Sequence, residues 1–180
     1  DHAGNPPLSM AVEASSTELT SLLLSLGANP NEADNRGVTP ISVAARGEND
    51  DLAVMLLNAG AVVNIRDEVG ATPTHRAIDQ GRTRVLRKLL GKKADVNMKD
   101  GLGNPPLCFA LRRAKHKFVP MLVDAGADVN GRDSHNDTPL SIAVRHKKED
   151  LVELLLKNGA DPGHRDGKGE LPLCIASEKD

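Results

Sequence analysis

Apolar residues come in two short bursts every 33 residues, with the polar positions between them keeping one order, so the chain reads as a repeat array before anything else. In the stretch Asp34 to Arg66 the first burst is Ile41, Val43, Ala44 and Ala45, and the second is Leu52 to Leu57. Thr39 stands where a hydroxyl can accept from a first-turn N–H, and Pro40 follows at the first helical position, where no N–H is needed. A helix is predicted from Pro40. Gly47 breaks it, and Glu48, Asn49, Asp50 and Asp51 then place negative charge at the start of a second helix, where the macrodipole favours it. Asn58, Ala59 and Gly60 end that helix, the glycine being suited to a left-handed cap. Neither helix is long enough to stand alone, so each must bury its apolar face against the next copy.

The landmarks hold register along the whole chain. Steps of 33 from Asp34 reach Asp1, Asp67, Asp100, Asp133 and Asp166; a proline follows each, from Pro7 and Pro40 to Pro172, and an alanine four residues later, from Ala11 and Ala44 to Ala176. With Thr-Pro, the Leu-Leu pair and Gly-Ala-Asp-Val-Asn in the same phase, these residues resemble the ankyrin repeat. The resemblance implies an all-α ankyrin-repeat solenoid of stacked helix-turn-helix units with hairpin loops, forming one domain over 1–180. It would comprise five full repeats (1–33, 34–66, 67–99, 100–132, 133–165) and a partial sixth (166–180). By the same resemblance, the hairpin tips and first helices form a concave recognition face, and the function is binding another protein.

Composition narrows this picture. Two phenylalanines, Phe109 and Phe118, are the only aromatic residues, both at apolar positions expected in the core, so the interior must be aliphatic. No transmembrane run or signal peptide is visible, and the absence of an initial methionine reads as a fragment of something longer or a processed form; the chain is expected to be monomeric and intracellular (cytoplasm or nucleus). The tail ends after one helix, about Leu171 to Ser177, leaving Leu171, Leu173 and Ile175 partly covered. Cys108 and Cys174 share a repeat position two units apart; at about 10 Å per helix layer they stand roughly 20 Å from one another, beyond disulfide reach. Both are expected as buried structural thiols.

Net charge of −2 conceals an acidic start and a basic middle: the first repeat has four carboxylates and no Lys or Arg, the third eight cations against four carboxylates. The third repeat also departs most from the template. Thr74 and Arg76 replace mostly apolar residues, Lys88 stands where Leu22, Met55, Met121 and Leu154 do, and Lys93 replaces the helix-ending glycine. Lysine at positive φ costs roughly 1 kcal/mol, unless Gly91 ends the helix earlier. That repeat is expected to be the weakest joint. Elsewhere Asn5-Pro6-Pro7 and Asn104-Pro105-Pro106 lack the capping hydroxyl, and the extended bias before proline offsets the loss in part. Pro120 predicts a late start or a kink in the second helix of the fourth repeat, and Asn136 replaces a glycine in a left-handed position.

A search for chemistry yields little. No Cys-x-x-Cys, His-Glu-x-x-His, P-loop or nucleophile-elbow pattern occurs, so no enzyme, cofactor or metal is expected. His135, His146 and His164 could approach one another at too irregular a spacing for a zinc site, and His75 is implied by the family resemblance to be an internal hydrogen-bonding residue. Two function classes remain: a protein-interaction module, and an electrostatic binder of phosphate-bearing ligands such as nucleic acid or inositol lipid through the basic third and fourth repeats. The lack of aromatic stacking residues weighs against nucleic acid.

Two ladders of cations are the candidate partner-binding residues. One lies at the hairpins (Arg66, Lys99, Arg132, Arg165), where each cation is followed by an aspartate expected to neutralise it; the other ends the first helices (Arg46, Arg112, Arg145), with no such built-in partner. Arg113 and Lys147 reinforce the second. An acidic or phosphorylated protein segment anchored by Arg112, Arg132 and Arg145 is the expected ligand. The family resemblance adds Asn97 and Asn130 as hairpin asparagines open to hydroxylation, against the plainer reading that their amides hold the hairpins.

Overall fold

Every first helix whose start is described begins after a residue held extended ahead of a proline. Thr39, Thr72 and Thr138 have ψ of 157°, 162° and 157°, and the prolines in the same place, Pro6 and Pro105, have 145° and 153°. The first helices are α1 (Pro7–Glu13), α3 (Pro40–Arg46), α5 (Pro73–Asp79), α7 (Pro106–Arg112), α9 (Pro139–Arg145) and α11 (Pro172–Ser177). Thr138 closes a capping box with Ser141, and Thr72 accepts from the His75 N–H at 3.4 Å while its hydroxyl meets His75 Nδ1 at 2.8 Å. His75 is buried there, in the internal role expected of it. Thr39 does not cap as expected: its hydroxyl lies 3.1 Å from that of Ser42, a local partner that competes with the backbone N–H.

The second helices are α2 (Thr17–Ser25), α4 (Asp50–Asn58), α6 (Thr83–Gly91), α8 (Val119–Asp124) and α10 (Glu149–Lys157). Pro120 delays α8 as anticipated. A 3-10 turn over His116–Phe118 precedes it, and the proline falls in the first helical turn, where its missing N–H costs nothing. Gly91 does not end α6 early; the helix includes it, and Lys93 takes the left-handed cap at φ 59° that Gly27, Gly60, Gly126 and Gly159 take elsewhere. Asn136 likewise accepts φ 63°.

The computed structural model describes residues 5–177, so Asp1 of the repeat landmarks lies outside the described residues. No β-strand occurs among those residues. The chain divides into two compact units, 1–95 and 96–180. In the first, α1, α3 and α5 pack in succession, as do α2, α4 and α6, around Leu8, Ile41, Leu52, Leu56, Ile78, Leu86 and Leu89, each at most 2% exposed. Lys88 shares the half-buried setting of Met55, so it strips less core than its position suggested. In the second unit, α7 packs on α9 and α9 on α11, with α8 against α10, around Leu107, Leu111, Phe118, Leu122 and Leu155. Ile175 is buried in that unit, whereas Leu173 is 80% exposed.

Candidate partner-binding surface

From the second repeat onward, the aspartate that opens the repeat builds the hairpin. Its Oδ1 accepts two backbone N–H groups: those of Arg36 and Val38 for Asp34, of Val69 and Ala71 for Asp67, of Leu102 and Asn104 for Asp100, of His135 and Asp137 for Asp133, and of Lys168 and Glu170 for Asp166. One carboxylate oxygen thus closes the turn, and the other is left for a further partner, which at Asp100 is the Asn104 side-chain amide at 3.3 Å. Asp34, Asp67, Asp133 and Asp166 are buried, so that second oxygen needs a partner.

The partner is an arginine from the first helices, and this overturns the expectation that the helix ladder is unpaired. Arg112 bonds Asp133 and, at 2.6 Å, Asp137; Arg145 bonds Asp166, Asp137 at 2.8 Å and Glu170 at 3.6 Å. Asp137 sits between both arginines, giving an alternating series Asp133, Arg112, Asp137, Arg145, Asp166. In the first unit Arg46 reaches Glu68 at 2.9 Å and Asp67 at 3.8 Å, and Arg76 bonds Asp67 at 2.7 Å. Asp34 takes Arg36 at 2.8 Å instead, because Glu13 stands where the preceding repeat would supply an arginine. Spacing along the chain could not reveal this pairing, since the partners are 21 to 25 residues apart in sequence for Arg112.

The electrostatics follow the geometry. Burial pushes the Asp133 carboxyl up, but the Arg112 guanidinium and the Asp137 and His135 amides outweigh it and hold it below the ordinary value. Asp34 is held low in the same way, with burial opposed by the Val38 amide and by Arg36. Arg112 is pushed down by burial and held above its ordinary value by Asp133 and Asp137.

Arg132 and Arg165 turn away from the aspartates beside them, contrary to expectation, because Asp133 and Asp166 are committed to the helix arginines. Arg132 donates to the carbonyls of Asn136 at 2.7 Å and Arg165 at 2.9 Å, and Arg165 to that of Gly169 at 2.7 Å. Dipolar acceptors satisfy the guanidinium without cancelling its charge. The hairpin asparagines clamp the next hairpin: Asn97 accepts from the Asp128 N–H at 2.8 Å and donates to Gly126 O at 3.3 Å, and Asn130 does the same with Asp161 and Gly159 at 2.8 and 2.9 Å.

Positive charge also gathers in the turns between helices of the second unit. Arg112, Arg113, Lys115, His116 and Lys117 form one turn and Arg145, His146, Lys147 and Lys148 the other, and the His116 and His146 rings stand 6.1 Å apart. Ala114 and Lys147 both hold φ of 53°, each at a cost of roughly 1 kcal/mol for a side chain there. Phe109 is half-buried rather than core, with the Arg113 guanidinium 5.4 Å from its ring centre, a contact that needs one ring face open. Cys108 is buried and its thiol is pushed up by burial; Cys174 is exposed, contrary to expectation, because nothing described covers that side of α11. Both are free. His164 lies 3.4 Å from Asp161 and His135 Nδ1 3.2 Å from the Ser134 hydroxyl, so the two histidines have separate partners.

A family model of ankyrin repeats in three copies matches residues 8–100 and 74–166. The chain belongs to the ankyrin-repeat family. Among solved structures it is similar to the ankyrin repeat domain of Bcl-3, described as a unique member of the IkappaB protein family, at 25% sequence identity and a TM-score of 0.86. The match covers 98% of this chain and 79% of that one. No curated protein sequence matches. The ankyrin fold is a protein-interaction module, and no helix among the described residues is long and apolar enough to cross a membrane.

Proposed function

We propose that this ankyrin-repeat segment is a non-catalytic, intracellular interaction module that holds an acidic or phosphorylated stretch of a partner protein over the inter-helix turns of repeats four and five. The observation that carries this reading is the side-by-side setting of those turns, marked by the 6.1 Å approach of His116 and His146. It groups Arg113, Lys115, Lys117, Lys147 and Lys148 into one field, with Arg132 and Arg165 as outer contacts on the hairpins. Arg112 and Arg145 serve by fixing the hairpins to the helices, since their charge is spent on aspartates. Arg46, Arg66 and Lys99 lie outside this surface, and hydroxylation of Asn97 and Asn130 belongs to the hairpin clamps. A field of this kind speeds association and weakens with salt.

The test uses a phosphoserine- and glutamate-rich peptide array, with hits measured by calorimetry at two salt concentrations. Charge reversal of Lys115 and Lys148 should lower affinity at least tenfold, and reversal of exposed Lys168 should not. Equal losses, or affinity indifferent to salt, overturn the reading. Retention of nucleic acid in a pull-down that nuclease abolishes would move the function to the rival class.

A further inference from the structure

One second helix differs from the others along its outward column. Where α6 has Arg84, Arg87, Lys88, Gly91 and Lys92, α4 has Asp51, Val54, Met55, Asn58 and Ala59, and α10 has Asp150, Glu153, Leu154, Lys157 and Asn158. Those spacings place all five on one helix face. α6 also has no acidic residue in its first turn, unlike α2, α4 and α10, and instead opens with Arg82 and Arg84 at the positive end of its own dipole. Each choice works against the helix, and choices of that kind concentrate where a site is maintained.

They converge on one groove. Arg84, Arg87, Lys88, Gly91 and Lys92 surround about 310 Å³, with Val54 of α4 in the lining. Only Arg84 is bonded to a carboxylate, that of Asp51; the side chains of Arg87, Lys88 and Lys92 have no ion-pair or hydrogen-bond partner among the described residues. Gly91 is a second, independent sign. It has an ordinary helical backbone, and a Cβ added there would meet nothing within 4 Å, so neither conformation nor packing asks for glycine. What its missing side chain leaves open is the groove.

We propose that this groove binds an anion carrying two or more phosphomonoester groups, of the inositol polyphosphate kind. Guanidinium forks match phosphate oxygens in pairs, and lysines add mobile point charges on either side. The volume suits a small headgroup, and with no aromatic residue in the lining there is nothing on which a nucleobase could stack. The groove lies in the unit formed by residues 1–95 and is independent of the acidic-peptide surface on repeats four and five.

The test is calorimetry with inositol hexakisphosphate, alongside co-sedimentation with phosphatidylcholine vesicles lacking or containing phosphatidylinositol bisphosphate. Saturable one-to-one binding is expected, with Arg87→Glu abolishing it and Lys88→Leu weakening it about tenfold. The leucine is the residue other repeats carry there, so thermal melting should be unchanged or higher, which separates lost binding from lost folding. Soluble binding without vesicle binding assigns a diffusible ligand; vesicle binding displaced by the soluble probe assigns a lipid headgroup. Absence of binding in both arms, or an equal loss from Lys168→Glu, overturns the proposal. Peptide binding that survives Arg87→Glu keeps the two sites distinguishable.

Discussion

The two units solve one problem with different numbers of carboxylates. In residues 1–95 the hairpin aspartates Asp34 and Asp67 are served by separate arginines, Arg36 for one, Arg46 and Arg76 for the other. In residues 96–180 Asp137 bridges Arg112 and Arg145 and converts separate pairs into a continuous series from Asp133 to Asp166. The corresponding residue in the first unit is Val38 or Ala71, which cannot bridge. A single carboxylate at one repeat position therefore decides whether neighbouring ion pairs join into one series. Coupling of this kind is measured by non-additivity, so the double-mutant cycle between Arg112 and Arg145 should show an interaction of about 0.5 kcal/mol or more that disappears in Asp137→Ala.

The sharpest test of that difference is Gly167→Ala. A Cβ there would stand 1.7 Å from the His135 carbonyl oxygen, and the Gly167 N–H donates to Asp137 Oδ1 at 3.0 Å, so the hairpin must move and the series must open. A loss of about 3 kcal/mol in urea denaturation is expected, against under about 1 kcal/mol for Glu68→Ala at the same repeat position in the first unit. Asp137→Asn should cost about 2 kcal/mol, less than for a fully enclosed pair because both arginines keep some contact with water.

Acid should weaken both units. Asp133 and Asp34 are held below the ordinary value of 3.8, so their contribution is complete above that pH and is lost as pH falls through the lower folded values. Melts between pH 5 and pH 2 should show this decline, and Asp133→Asn should flatten it. Smaller changes concern the third repeat. Lys93→Gly should stabilise by about 1 kcal/mol by removing a left-handed lysine, and Gly91→Ala by about 0.5 to 1 kcal/mol, since nothing crowds the added methyl. Native-state hydrogen exchange should find that the third repeat opens before the second, and exchange slower there than in the second would show that its departures cost nothing.

Repeat period, helix starts at the prolines, the delayed α8 and the left-handed Asn136 were all legible from residue order, whereas at Lys93 residue order left an earlier helix end at Gly91 open. These are local consequences of proline, glycine and short apolar stripes, and each acts within a few residues of its cause. The left-handed turn residues Ala114 and Lys147 carry no such mark in the sequence. They follow from the path required between two packed helices, which overrides a modest local cost.

The sequence by itself determined a 33-residue repeat of paired helices, its family and the positions of its charges. Only the tertiary structure decided which charges cancel. Asp133 and Asp166 are chain neighbours of the hairpin cations Arg132 and Arg165, yet the turn aims each carboxylate inward, toward an arginine of the preceding repeat, while Arg132 and Arg165 turn to backbone carbonyls. Direction across a turn is set by which oxygen closes it, and that choice leaves no trace in spacing. The same reason hid the groove on α6, where the significance of Gly91 depends on empty space beside it rather than on any residue next to it in sequence.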